Sequence, residues 1–409
     1  MAGPVLTIDD GSLDGPLTIQ LSLPYTSRFT DGTPAVVYIH GGWRTDNVPL
    51  DPEGVVLGTE HGFATVYLNL PGGENAHSSP GMDDRRGPQA RAAVALALRY
   101  AAGELKDSQA CTLEQRVPDG LSNTRAIAGM SNGGNLAWAT VGDQDLDIPT
   151  VHGIVSFETP SSSQFILVEP GRDPQARPFF DAESCSLDTH SQIGCEHGYG
   201  DLLFNANGEP ETGGALLIDV DQSGDSSNAD IRLDVAWSPY LETWVQATPA
   251  REAAERQGLM LTNRADVEDS RSFWQQREAP PNMASAIERF PSLVSIVTGT
   301  QTDHILGGLE HPVHLTGMVA AMQHNHIAWS RLNPDVSYIE AVSNATLEFQ
   351  DNPANKPLSV FDPDAVAAPD ETEQVQTSDY FTAAMLEVLD RSQLNIWDEN
   401  IDAVLAPSP

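Results

Sequence analysis

The apolar run Ala126-Ile127-Ala128 stops in Gly129-Met130-Ser131-Asn132-Gly133 and continues as Gly134-Asn135-Leu136-Ala137-Trp138-Ala139. This reads as strand, abrupt turn, helix. A Gly-x-Ser-x-Gly turn in that setting forces the serine into a strained backbone conformation that lifts its hydroxyl clear of the sheet. The flanking glycines remove the side chains that would block approach. Ser131 is therefore a candidate nucleophile. The same pentapeptide also occurs at ordinary helix N-termini, so its meaning depends on what else the chain carries.

Upstream lies Ala35-Val36-Val37-Tyr38-Ile39-His40-Gly41-Gly42-Trp43, a β-branched run that ends in a His-Gly-Gly turn. Acyl transfer needs two N–H donors aimed at the charge that develops in a tetrahedral intermediate. One typically comes from the residue after the nucleophile and one from an earlier loop. Here these are Asn132 and either Gly42 or Trp43.

With both motifs in that order, the chain resembles the α/β-hydrolase superfamily. Within it, the serine esterase and polyester-depolymerase-like branches carry similar Gly-x-Ser-Asn-Gly-Gly elbows. The resemblance runs over residues 17–160 and 288–345. It implies an α/β fold with a mostly parallel eight-stranded sheet, helices on both faces, and a serine hydrolase site at the carboxyl ends of the strands.

The strand pattern supports this separately. Expected strands are Leu17–Leu23, Ala35–Ile39, Ala64–Leu70, Arg125–Ala128, His152–Phe157, Leu293–Thr298 and Val336–Val342. Several are continuous apolar runs, as strands buried on two faces should be. Helical patterns such as Gly87–Ala102 separate them, and alternating βα units argue for a parallel sheet.

The resemblance places the second member of a triad just past the seventh strand. Leu293–Thr298 runs into Gly299-Thr300-Gln301-Thr302-Asp303-His304, so Asp303 is the candidate acid. Glu158, past the sixth strand, is the less usual position. The third member departs from the family. Its histidine normally follows the eighth strand, yet no histidine occurs beyond His326. Histidines cluster instead at His304, His311, His314, His324 and His326. A base must reach the serine hydroxyl while an acid orients its other nitrogen. His314, at the start of a helix expected over Val313–Arg331, ranks first and His304 second. His324 and His326 read as solvated or core positions. The other reading is a noncatalytic binding protein with a relic elbow.

Twenty-one Lys and Arg face 58 Asp and Glu, giving a net charge of −37, and the lysines are only Lys106 and Lys356. Such a surface repels nucleic acid and anionic membranes, which are bound through basic patches. An excess of carboxylates with almost no lysine suits concentrated salt, where screening removes the self-repulsion of the compact state. A secreted acidic enzyme is the alternative. No apolar stretch reaches the length of a membrane span, and Met1-Ala2-Gly3-Pro4 does not lead into a signal-peptide core, so the chain as given reads as soluble. Cys185 and Cys195 enclose a short loop that suits a local disulfide, which would favour an extracytoplasmic location. Cys111 is left over.

At 409 residues and 40% hydrophobic content, one catalytic domain carrying an insertion fits better than two domains. The expected core is 1–160 with 288–409, and 161–287 is a cap or lid rich in Ser, Pro, Gly and acidic residues. The insertion holds Asp219-Val220-Asp221-Gln222-Ser223-Gly224-Asp225, followed by Asp230 at the twelfth position. This resembles a calcium loop, with oxygen ligands at Asp219, Asp221, Ser223, Asp225 and Asp230 and a glycine at the sharp turn. Asp230 in place of the longer Glu, and Ser226 where an apolar residue is usual, depart from that pattern. A structural Ca²⁺ is expected there, or else a plain acidic turn, and no cofactor for catalysis. Toward the C-terminus, Tyr380–Arg391 forms an amphipathic pattern with Phe381, Met385, Leu386 and Leu389 on one stripe.

Hydrolysis of carboxylic esters through an acyl-enzyme is the reaction the resemblance implies, on small-molecule or polymeric esters. A peptidase or amidase is the other enzymatic reading.

Overall fold

The computed structural model describes residues 3–42, 45, 48, 58–161, 186–187, 193–194, 201–206, 214–227, 230–233, 235–298, 313–343 and 377–397. Its chain order begins with β1 (Val5–Ile8), β2 (Leu17–Ser22), β3 (Thr33–Ile39), β4 (Ala64–Leu68), α1 (Pro88–Ala101), β5 (Leu121–Met130), α2 (Asn132–Gly142) and β6 (Gly153–Phe157). The insertion follows as short β7 (Ser186–Leu187) and β8 (Ile193–Gly194), then β9 (Leu202–Asn205), β10 (Ala215–Ile218), β11 (Ile231–Leu233), β12 (Val235–Ser238), β13 (Thr243–Gln246), α3 (Thr248–Arg256) and α4 (Val267–Gln275). The chain closes with α5 (Ala279–Arg289), β14 (Val294–Thr298), α6 (Val313–His324), β15 (Trp329–Leu332), α7 (Val336–Ser343) and α8 (Thr377–Leu394).

Eight of these strands form one sheet in the order β1-β2-β4-β3-β5-β6-β14-β15. From β4 to β15 every neighbouring pair is parallel, and β1 and β2 join antiparallel at one edge. Side chains alternate faces along a strand, and both faces are apolar. Val37, Val66, Ile127 and Ile154 point to one side, where Leu98 of α1, Trp138 of α2, Met283 of α5 and Met322 of α6 cover them. Val36, Tyr67, Ala126 and Val155 point to the other, under Tyr338 of α7 and Phe381, Met385 and Leu389 of α8. The continuous apolar runs of the inner strands follow from this double burial, and the predicted stripe of α8 lies on the sheet. No described helix is long and apolar enough to cross a membrane.

Two secondary-structure expectations change. Val336–Val342 is not the eighth strand but helix α7, and the strand is Trp329–Leu332. Asp335 sets the helix start: its side chain accepts the Ser337 N–H at 3.0 Å and its carbonyl accepts the Tyr338 N–H at 3.0 Å. The apolar residues Tyr338, Ile339 and Val342 then share one helical face toward the core, a spacing as good for a helix as for a short strand. The helix expected over Val313–Arg331 ends at His324. The His326 N–H bonds the Gln323 carbonyl at 3.1 Å and the Ile327 N–H reaches back to Met322 at 3.1 Å, with His326 at φ 56°. That is a Schellman stop.

The insertion has its own small core. Leu216 and Ile218 of the β9-β10-β11 sheet, Val245 of β13, and Phe273 and Trp274 of α4 cluster together. Helix α5 already belongs to the main core through Ala279, Met283 and Ala286. The chain therefore returns to the main body at Ala279, ahead of the expected boundary at 288.

Candidate active site

Ser131 stands alone between the last residue of β5 and the first of α2, with φ 51° and ψ −125°. For a non-glycine residue this conformation costs on the order of 1–3 kcal/mol and persists only where surrounding contacts fix it. Here they do. The Ser131 N–H donates to the Phe157 carbonyl at the end of β6 at 2.7 Å, and its carbonyl accepts from the Gly134 N–H at 2.9 Å. Each glycine of the elbow has a packing reason. A Cβ on Gly129 would strike Gly133, one on Gly133 would strike the Ile39 carbonyl at the end of β3, and one on Gly134 would strike the Thr159 hydroxyl. The turn is folded so tightly against β3 and the strand after it that only hydrogen fits at these positions.

The N-terminus of α2 opens directly behind Ser131, where its first N–H groups favour negative charge. Asn132, the first residue of the helix, is 1% exposed. Asn135 ties this end down: its amide donates to Asn132 Oδ1 at 3.2 Å and to the Pro160 carbonyl at 3.0 Å, while its Oδ1 accepts the Ala279 N–H at 2.8 Å. One side chain thus joins α2, the loop after β6 and the start of α5.

The second loop leaves β3 as His40-Gly41-Gly42. An added Cβ at Gly41 would lie 3.1 Å from Ser131 Cβ, so this loop passes beside the serine. Gly42 has φ 65°, a left-handed turn position. Trp43 lies outside the described residues. Sequence reasoning missed Arg86, which is 4% exposed. Its Nη2 donates to the carbonyls of His40 at 2.9 Å, Gly41 at 3.2 Å and Gly42 at 2.8 Å. Burial lowers its pKa to about 10, although Asp83 and Asp84 oppose the shift, and it stays a cation at neutral pH. No motif marks such a residue, because an arginine beside another arginine in a polar turn looks like surface.

β5, β6 and β14 are mutually parallel, so their carboxyl ends share one edge with Ser131. The segment after Thr298 starts from that edge. Asp303, His304 and His311 lie outside the described residues. The backbone of His314 lies in the first turn of α6, and α6 connects two parallel strands, so it runs back along the sheet. Its first turn therefore lies toward the carboxyl edge and its last toward the opposite one. His324 and His326 are at that far end and exposed, and His326 terminates the helix. Glu158 follows Phe157 at the carboxyl edge. It is 3% exposed, at φ 43°, and its N–H donates to the Thr298 carbonyl at 2.7 Å.

In the insertion, carboxylate oxygens of Asp219, Asp221 and Asp230 all lie within 4.8 Å of one another. Asp219, 6% exposed, accepts the N–H of Ser223 at 3.1 Å and of Gly224 at 2.9 Å, and Asp230 accepts the N–H of Ser227 at 2.6 Å. Hydrogen bonds from Ser223 and Ser227 hold the Asp221 carboxyl below its usual range. Asp225 is not part of the converging group; its carbonyl accepts the Ser223 hydroxyl at 2.7 Å. Three converging carboxylates suit a hard cation such as Ca²⁺. Cys185 and Cys195 lie outside the described residues, and Cys111 is a free thiol.

No protein-family model matches the chain, and no curated protein is similar to it in sequence. Among solved structures it resembles carboxyl esterase 2 of the fungus Tuber melanosporum at 13% identity, covering 80% of this chain and 75% of that one, with a TM-score of 0.37. A thermostable esterase from Pseudomonas putida is similar at 11% identity over 80% of this chain and 72% of that one, TM-score 0.39. An acylaminoacyl peptidase of Pyrococcus horikoshii is similar at 10% identity and TM-score 0.38; it matches 80% of this chain, which spans only 36% of the peptidase. The eight-stranded, mostly parallel sheet, helices on both of its faces and a strained serine turn between β5 and α2 belong to this chain itself, and with them it has the α/β-hydrolase fold.

Proposed function

We propose that the protein is a serine hydrolase that cleaves carboxylic esters through an acyl-enzyme. The observation that carries this reading is the backbone of Ser131, held at φ 51° at the carboxyl end of a parallel strand with a helix N-terminus behind it. Strain of that kind has no packing benefit of its own and is characteristic of a nucleophile elbow.

In this reading the Ser131 hydroxyl adds to the ester carbonyl carbon while His314 accepts its proton, with His304 the next choice of base. Asp303 orients the imidazole, and Glu158 is the alternative acid. The N–H groups of Asn132 and of Gly42 or Trp43 hold the oxyanion. Collapse of the tetrahedral intermediate breaks the bond to the alcohol, which leaves with the proton from the imidazole. Water, deprotonated by the same base, then releases the acid. The insertion acts as a cap over the carboxyl edge, since it departs from the end of β6 and its Tyr240 hydroxyl donates to Asp84 at 3.1 Å. Small or polymeric esters are the proposed substrates. We also infer a structural Ca²⁺ between Asp219, Asp221 and Asp230, supported by their convergence.

Labelling with a fluorophosphonate probe tests the nucleophile. A single adduct on Ser131, absent in Ser131→Ala, with hydrolysis of nitrophenyl esters, supports the reading. No adduct leaves a noncatalytic binding protein, and faster turnover of peptide amides than of esters makes it a peptidase or amidase.

A further inference from the structure

We propose that Arg86 is the positioning residue of the oxyanion loop, fixing the peptide planes of His40-Gly41-Gly42 so that the loop N–H faces the serine. The inference rests on the hydrolase reading of Ser131 and deepens it.

A peptide group is planar and trans, so its C=O and the next N–H point in opposite directions. Holding the Gly41 carbonyl on one side therefore holds the Gly42 N–H on the other. One Arg86 nitrogen takes the carbonyls of His40, Gly41 and Gly42 together, at 2.9, 3.2 and 2.8 Å. Three successive carbonyls drawn to one point is not a conformation a Gly-Gly segment holds alone, since glycine has the largest backbone freedom to lose. The guanidinium is buried, and charge-assisted hydrogen bonds in a dry site are stronger than those between neutral groups. Ser131 lies beside the same loop, since a Cβ built on Gly41 would stand 3.1 Å from its Cβ.

Arg86 is itself set by the insertion side of the molecule. Arg85 and Arg86 are both left-handed, at φ 53° and 65°. Asp84 closes this turn by accepting the N–H of Gly87 at 2.9 Å and of Gln89 at 2.6 Å. Arg277, 2% exposed, donates to the carbonyls of Asp84 at 2.9 Å, Arg85 at 2.8 Å and Phe273 at 2.7 Å. Phe273 lies in α4 and Tyr240 in the turn between β12 and β13, so the clamp on the Arg86 turn comes from the insertion. Loosening it should reach the oxyanion loop through Arg86.

The test combines amide hydrogen exchange with ester kinetics for the full chain, as wild type, Arg86→Met, Arg86→Lys and Arg277→Gln. Arg86→Met is expected to speed exchange at residues 40–42 while Thr33–Ile39 stays protected. Removing an oxyanion contribution lowers kcat about 100-fold, so kcat should fall to that degree with KM changed by less than about threefold. Arg86→Lys should recover part of the loss, because it keeps a charged donor but not the fork, and Arg277→Gln should fall between. If Arg86→Met does not fold, the other two variants decide on the same readouts. Unchanged exchange, or faster exchange with unchanged kcat, overturns the proposal. A wild type that neither hydrolyses esters nor reacts at Ser131 overturns the hydrolase reading, while exchange at residues 40–42 still reports whether Arg86 holds the loop.

Discussion

Gly41 leaves no room for a side chain beside Ser131: a Cβ built on Gly41 would sit 3.1 Å from the Cβ of Ser131 and 3.2 Å from the Met130 carbonyl. The His40-Gly41-Gly42 loop and Ser131 therefore share one packing position.

Gly41→Ala should consequently fold but misplace the serine. The neighbours have to give by a few tenths of an ångström, and small displacements of reacting groups are costly, up to about 100-fold for 1 Å. We expect kcat for a nitrophenyl ester to fall about 10-fold with a melting temperature close to wild type. By contrast, Gly133→Ala meets the Ile39 carbonyl head-on and should lose stability by about 1–3 kcal/mol or more, read by chemical denaturation. Equal activity in Gly41→Ala and wild type would remove this contact from the mechanism.

Substitution of the acid and base candidates separates the two halves of the triad. Asp303→Asn should lower kcat by about 10⁴-fold if it orients the base, with Glu158→Gln much milder. Among His304→Ala, His311→Ala and His314→Ala, the largest loss is expected at His314. A larger loss in Glu158→Gln than in Asp303→Asn would move the acid to the end of β6.

Calcium should raise the melting temperature of the wild type. A ligand at 100 times its Kd stabilises by about 2.7 kcal/mol, and the shift should vanish in Asp219→Asn and Asp221→Asn, where a converging oxygen loses its charge. A melt insensitive to both Ca²⁺ and chelator would make this loop an acidic turn closed by its own N–H groups.

Salt should stabilise the protein. With a net charge of −37, repulsion acts over a Debye length of about 30 Å at 0.01 M salt and about 3 Å at 1 M. Thermal melts from dilute buffer to molar NaCl should rise steadily, and a flat response would leave the charge balance without a role in concentrated salt.

Much of this architecture is local in origin. Continuous apolar runs marked β3, β4, β6 and β14 because both faces of an inner strand are buried, and the glycine pattern around Ser131 marked the elbow because only glycine fits a turn that close to its neighbours. The short amphipathic pieces misled. Tyr338, Ile339 and Val342 fit a helix as well as a strand, and the choice fell to Asp335 and to the space beside α8. The helix expected over Val313–Arg331 is cut short because the left-handed backbone of His326 ends it at the far side of the sheet, and His326 is exposed there, in line with its reading as a solvated or core position.

The sequence alone determined the βα alternation, the serine turn and the acidic surface, since each depends on residues adjacent in the chain or on composition. Only the tertiary structure decided that Arg86 binds the carbonyls of the His40-Gly41-Gly42 loop and that Arg277 holds the Arg86 turn. Those bonds join segments far apart in sequence, and a guanidinium buried against backbone carbonyls leaves no pattern in the residues beside it.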